Sequence, residues 1–212
     1  MQSAPHIVIL AAGRGSRMRS ARAKVLQPVF FRPMIRHVLE LAQGVPNRSI
    51  SVVVGHDEQA VREQCRGYDV RFARQTEQLG TAHAVKAVES FLSAQDGDLL
   101  VLSGDVVMLS RESAMGLVGR HAETGAAATV ATMRLRDPRG YGRVIRRGKA
   151  ITEIKEDVDC SEEQKAIHEV NGGIYCFAIR PLLDALLRIE NRNGQGEYYL
   201  PDALKIIAAG GA

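Results

Sequence analysis

The sequence predicts an α/β fold of three layers: a mostly parallel central sheet covered by helices on both faces, with a small antiparallel subregion later in the chain. Three observations carry this. Short strand-like runs alternate with stretches of helical period from the start, the pattern of strand–helix units. The first run, His6–Ala12, is continuously apolar from Ile7, as a strand buried on both faces reads. The 212 residues are 45% hydrophobic and 25% charged, which fits one domain able to bury roughly 70% of its unfolded surface without a disulfide or metal staple.

Each element follows from local pattern. After His6–Ala12, the stretch Met34–Gln43 sets Ile35, Val38, Leu39 and Ala42 on one helical stripe. Ser51–Val54 is a second strand, and Asp57–Cys65 a helix for which Asp57 is the expected N-cap. Val70–Ala73 is strand-like, and Thr81–Leu92 is helical, with Ala84, Val85, Val88, Phe91 and Leu92 on its apolar side. Asp98–Ser103 is a strand ending in Gly104-Asp105, Ser110–His121 a helix capped by Ser110, and Ala126–Met133 a further strand. The rhythm then changes: Arg143–Ile145, Ala150–Ile154 and Gly173–Ile179 are strands with less helix between them, as in an antiparallel edge or a substrate-binding subregion. Pro181–Arg188 and Tyr199–Ala208 are helices, the former with proline in its first turn, where a missing N–H costs nothing. There is no internal repeat, low-complexity tract or linker, so 1–212 reads as one domain with halves at about 1–110 and 111–212.

Composition excludes several classes. The longest strictly apolar run, Ile7–Ala12, is six residues, against the ~20 of a membrane helix. An apolar run followed by arginines reverses the order of a secretory signal, so neither a membrane nor a leader is expected. Cys65, Cys160 and Cys176 are odd in number and lack CxxC spacing, which fits buried thiols in a reducing cytoplasm. Net charge is only +4, but the first 39 residues carry seven basic side chains (Arg14, Arg17, Arg19, Arg22, Lys24, Arg32, Arg36) and no carboxylate. That asymmetry points to an anionic partner, with a solvated basic surface as the competing reading. Aromatics are 5%, tryptophan is absent and none interleaves the arginines, which argues against nucleic acid and for a small phosphate ligand.

In a parallel sheet the ligand sits beyond the carboxyl ends of the strands, and the chemistry-bearing motifs do follow strands. After the first comes Leu10-Ala11-Ala12-Gly13-Arg14-Gly15-Ser16-Arg17-Met18, with Lys24 six residues on. Small residues let backbone N–H groups approach a polyphosphate, and Arg17 and Lys24 would neutralise its charge. It is not a dinucleotide fingerprint, since Met18 holds the place of the third glycine, and no Gly-Lys-Ser/Thr closes it as a P-loop.

This loop and the Lys24-Val25-Leu26 that follows it resemble the signature of sugar-phosphate nucleotidyltransferases. Gln75-Thr-Glu-Gln-Leu-Gly-Thr-Ala-His83, Gly104-Asp105, Asp137-Pro-Arg-Gly-Tyr-Gly-Arg143, Glu169-Val-Asn-Gly-Gly-Ile174 and Gln195-Gly-Glu-Tyr-Tyr-Leu-Pro-Asp202 follow in order. Together they are similar to the uridylyltransferase domain of the bacterial N-acetylglucosamine-1-phosphate uridylyltransferases, over nearly the whole chain. The resemblance implies a Rossmann-like nucleotidyltransferase fold and transfer of UMP from UTP to N-acetylglucosamine 1-phosphate, releasing pyrophosphate. The nucleophile is already an anion, so no general base is needed; the barrier lies in bringing anions together, a task for cations and a metal.

On that resemblance Arg17 and Lys24 are the catalytic cations and Asp105 the ligand of a Mg²⁺ ion, which accepts a single protein carboxylate beside substrate phosphates and water. Leu10, Ala11, Ala12, Gly13, Gly15, Gln75, Gly80 and Thr81 are implied to bind the nucleotide, Gln75 by offering its amide donor and acceptor to uracil. Ser103, Gly104, Gly140, Glu156 and Asn171 are implied on the sugar side. Asp105 can equally be a turn residue, Gln75 a strand end, Thr81 a helix-start residue, and Glu156 part of a charged surface run. Tyr141, Tyr198 and Tyr199 shape the sugar pocket or belong to the core, and His37, His56 and His83 receive no role. The chain departs from the pattern at Ala23, where proline usually precedes the lysine, at Val158 for a lysine, and at Gly172 and Pro201 for threonines. The second metal ligand and the hexapeptide-repeat acetyltransferase segment fall outside these 212 residues. Other nucleotidyltransferases of this fold stay open (another sugar 1-phosphate, or molybdopterin and isoprenoid types), as does a nucleotide-sugar binder without turnover.

Overall fold

A computed structural model describes residues 4–15 and 22–210. The strands of its eight-stranded sheet are β1 (His6–Leu10), β4 (Ser49–Val54), β5 (Arg71–Arg74), β6 (Asp98–Ser103), β7 (Ala128–Arg134), β8 (Arg143–Arg147), β9 (Ala150–Lys155) and β10 (Glu169–Ala178). They run in the order β5-β4-β1-β6-β10-β8-β9, with β7 also paired to β10. β5, β4, β1 and β6 are mutually parallel, and β10 runs antiparallel to β6, β7 and β8. A separate hairpin, β2 (Pro28–Val29) with β3 (Arg32–Pro33), leads into α1 (Met34–Gly44).

Side-chain alternation splits the core into two layers. Val8, Leu99 and Val101 face one side; Ile7, Ile9, Leu100 and Leu102 face the other. The first side is covered by α3 (Thr81–Lys86), α4 (Glu89–Leu92), α7 (Ile179–Leu186) and α8 (Asp202–Ala209). The second is covered by α1, α2 (Glu58–Gln64) and α5 (Arg111–Thr124). A further short helix, α6 (Glu162–Lys165), opens on a Ser161 capping box.

Three local expectations change and one holds. Thr81–Leu92 is two helices, because the chain leaves helical geometry at Val88, which has φ −102° and ψ 6°. Asp57 precedes α2, but in the left-handed region at φ 55° and without a side-chain cap bond. Ser110 does cap α5, accepting from the Ser113 N–H. β10 begins four residues earlier than expected, at Glu169, and holds a bulge between Asn171 and Tyr175. At the bulge a Cβ on Gly172 would lie 2.6 Å from the Ala131 carbonyl oxygen, so a threonine there would collide with β7. The three cysteines are buried and free, and among the described residues no helix is long and apolar enough to cross a membrane.

Candidate active site

β1, β4, β5 and β6 point the same way in register, Leu10 lying beside Val53 and Ser103. Their carboxyl ends therefore open onto one edge of the sheet, where the following loops enclose a cleft of about 490 Å³. Leu10, Ala12, Gly13, Gly15, Lys24, Gln75, Gly80, Thr81, Ser103 and Asp105 all line it. Arg17 lies outside the described residues. Ala11 is not in the lining: its methyl is buried in the second core layer and its N–H donates to the Val53 carbonyl at 2.9 Å. Gly104 likewise sits behind the wall, donating its N–H to the Leu10 carbonyl at 2.9 Å.

The charged end of the cleft is built by Asp105 and Lys24. The Ser103 hydroxyl donates to Asp105 Oδ1 at 2.5 Å, and Lys24 Nζ pairs with Oδ2. Burial opposes the carboxylate's charge, but the hydrogen bonds from Lys24 and Ser103 and the lysine's charge prevail, holding the carboxyl below its usual range. Gly15, at φ 68°, brings the glycine loop against Lys24. A Cβ there would stand 2.6 Å from the lysine's own Cβ. Arg14 adds a second, exposed cation to the lining. The donor set at this end suits Mg²⁺ held largely by a ligand's phosphates: the Asp105 carboxylate, with Glu197 the other carboxylate of the lining, and no cluster of three acidic, His or Cys groups among the described residues.

The opposite wall differs in detail from the expectation. Gln75 is buried, and its Nε2 donates to the Gly80 carbonyl at 3.1 Å while lying 3.0 Å from His83 Nδ1. The carbonyl can only accept, so the amide NH₂ faces inward, His83 Nδ1 accepts, and the histidine's proton is on Nε2. The donor that would read uracil's imide edge is thus engaged, and Gln75 offers the cleft only its acceptor. The Thr81 hydroxyl accepts from the Leu200 N–H at 2.9 Å, so it too is partly structural.

Glu156 and Asn171 are brought together away from this lining, on either side of Gly142. A Cβ on Gly142 would lie 3.2 Å from Glu156 Oε1 and 3.5 Å from Asn171 Cβ. The N–H of Gly140 is taken up by the Asp157 carboxylate, so the close approach falls at Gly142, two residues on. The Asn171 amide is shared between the Tyr175 hydroxyl, at 2.7 Å from Nδ2, and the Gly173 N–H, 2.9 Å from Oδ1. Behind them the buried Arg143 bonds the Tyr141 carbonyl, Asp157 at 2.8 Å and the Lys165 carbonyl at 3.4 Å.

The sequence reading missed Gln78, Gln195 and Glu197 in the cleft wall. Gln195 and Glu197 come from the 190–199 loop, which is stitched to both regions. Gly194 N–H donates to Asp159 at 2.8 Å beside the Glu156 strand end, and Tyr198 N–H donates to the Leu79 carbonyl at 2.8 Å. The Tyr198 carbonyl then accepts from Ala82 N–H at 2.9 Å. Tyr199 is buried and Tyr141 half exposed at 45%.

Comparison with known proteins gives the chain's relatives. The chain is 45% identical over 207 residues to the bifunctional protein GlmU of Brevibacillus brevis, covering 97% of this chain and 45% of that one. It is 40% identical over 204 residues to the GlmU of Clostridium beijerinckii and 43% over 201 residues to that of Bacillus cereus, covering 96% and 94% of this chain. It spans less than half the length of these relatives, 44–45%. Its fold matches a UDP-glucose pyrophosphorylase solved with UDP-glucose, with TM-score 0.79 over 98% of this chain and 88% of that one, at 16% identity. The family model for the MobA-like NTP transferase domain matches residues 7–200. The glycine loop, Lys24 and Asp105 lie together at the carboxyl edge of the parallel sheet, and the chain belongs to the family of MobA-like NTP transferase domains.

Proposed function

We propose that this domain transfers UMP from UTP to N-acetylglucosamine 1-phosphate, forming UDP-N-acetylglucosamine and pyrophosphate with Mg²⁺ bound at Asp105. The observation that carries the reading is the Lys24–Asp105 ion pair at the charged end of the cleft, against the glycine loop. The lysine neutralises a carboxylate that burial would otherwise disfavour, so a divalent cation and a triphosphate arriving together can replace that pairing on both sides.

The nucleotide's phosphates lie along the backbone of Gly13–Gly15 with Lys24 beside them, and its base lies toward Gln75, Gly80 and Thr81; Arg17, outside the described residues, keeps its proposed role as a second catalytic cation. Asp105 would hold Mg²⁺, whose contribution is to screen the phosphates and polarise the α-phosphorus. The sugar phosphate enters from the side of Glu156 and Asn171, positioned for in-line attack by its own anionic oxygen. GlmU relatives at 40–45% identity support a transferase of this family, and the choice of nucleotide and sugar rests on the resemblance of the ordered motifs. Pyrophosphate release across a panel of nucleotides and sugar 1-phosphates tests it: UTP with N-acetylglucosamine 1-phosphate should turn over fastest and require Mg²⁺. Preference for CTP or GTP would overturn the substrate assignment, and tight UDP-sugar binding without pyrophosphate would overturn the enzyme reading.

A further inference from the structure

We infer that Asp57 is a positioning residue that sets Lys24 through the main chain of Ala23. The inference rests on the reading of Lys24 as a phosphate-binding cation. It starts from a residue whose ordinary role is missing. Asp57 stands in front of α2, where an N-cap belongs, yet no side-chain bond reaches that helix. Its backbone is left-handed at φ 55°, a conformation uncommon for any residue but glycine. Its carboxylate instead crosses 34 residues of sequence, Oδ2 accepting the Ala23 N–H at 2.7 Å.

Ala23 is fully buried and immediately precedes Lys24. A buried N–H must find an acceptor, and an ionised one holds it most firmly. The same corner fixes the other flank of the glycine loop, for the His56 N–H donates to the Ala12 carbonyl at 3.3 Å. The chain therefore leaves the sheet at Ala12 and returns at Ala23 against a single three-residue support, Gly55–Asp57. Ala23 stands where the resembled family usually carries proline, and the φ of −52° there would accommodate its ring. A proline has no N–H, however, so in this chain the bond to Asp57 does the work that ring rigidity would do. Lys24 needs such a fixed base, because a misplacement of about 1 Å at a charge-stabilising group can cost on the order of 10²-fold in rate.

A double-mutant cycle tests this. Asp57→Ala should lower kcat for pyrophosphate release at least ~10-fold while leaving KM for the sugar phosphate within about twofold, since that side of the cleft is untouched. Asp57→Asn keeps an acceptor oxygen and should recover most of the rate. In an Ala23→Pro background, Asp57→Ala should add nothing, because the bond is already gone. Wild-type kcat in Asp57→Ala, or full additivity on Ala23→Pro, would overturn the proposal. Asp57→Gly deletes the carboxylate while relieving the left-handed backbone, so loss of rate there with undiminished thermal stability excludes misfolding as the cause. Amide exchange at Ala23 gives a readout independent of catalysis. It should accelerate in Asp57→Gly even if the wild-type chain turned over none of the panel, a result that would refute the functional reading alone; unchanged exchange would refute the contact.

Discussion

At the level of single residues the site is made of charges that are half satisfied by one another. Asp105 is stabilised as an anion by Lys24 and Ser103. With its folded pKa lowered, that contribution to stability is complete above the ordinary carboxyl range near pH 4 and fades only as pH falls further. Replacing Asp105 by Asn keeps the shape and the Ser103 contact but removes the anion. Turnover at saturating Mg²⁺ should fall by more than ~10²-fold, with the circular dichroism spectrum unchanged; near-normal rates would place the metal elsewhere. Arg143 serves the other half of the cleft as a buried fastener of Tyr141, Asp157 and Lys165. Arg143→Met should destabilise the domain by about 2–3 kcal/mol, below the 3–5 of a wholly buried pair because Asp157 is partly exposed. Denaturant midpoints would measure it, and a shift under 1 kcal/mol would show that the carbonyls find water instead.

At the level of elements, what could be read from sequence was what has a local signature. The alternation of Val8 with Ile7 and Ile9, the stripe of α1 and the Ser110 cap are periodic or short-range, and each lies where its pattern puts it. The glycine loop and Asp105 were legible because strand ends in a parallel sheet share an edge. Partnerships across long sequence distances were not. Asp57 looks like any N-cap until the chain brings Ala23 to it, and Gln75 looks free until His83 and Gly80 claim its amide. Gln195 and Glu197 reach the cleft through backbone bonds of Tyr198, which carry no side-chain signal. The β2–β3 hairpin escaped for the opposite reason, since its turn violates the rule that would have revealed it. Phe30 and Phe31 hold φ of 50° and 65°, where asparagine and glycine belong, and are 71% and 103% exposed. Their rings bury little, so Phe30→Asn with Phe31→Gly should stabilise the domain by about 1–2 kcal/mol through relief of backbone strain. A raised urea midpoint with unchanged m-value would bear this out; a lowered one would mean that the rings carry packing after all.

At the level of the molecule, one sheet joins two kinds of half. Parallel strands present the phosphate side, and β10 turns the chain antiparallel and carries Asn171 on its bulge. The halves meet again in the 190–199 loop, which is held in place by α8 directly behind it. α8 packs its Leu204 and Ile207 into the first core layer, and Lys205 pairs with Glu153 of β9 at 2.9 Å. The first residue of that helix, Asp202, is under stress. Burial raises its carboxyl to about 6; Lys205 opposes the rise, and Glu153 and Asp159 add to it. A folded pKa above the unfolded one means stability that is full below about pH 4 and is lost as pH rises through 6. The start of a helix favours an anion, which works against this loss, and solvent reaches part of the group. The net effect should therefore be about 1 kcal/mol rather than the full value of a two-unit shift. Asp202→Asn and the wild-type chain should show equal denaturant midpoints at pH 4 and diverge through pH 6, the variant being the more stable at pH 8. If the variant were instead the less stable at pH 8, Asp202 would be serving α8 as an N-terminal anion, and the loop behind the cleft would be anchored by charge rather than strained by it.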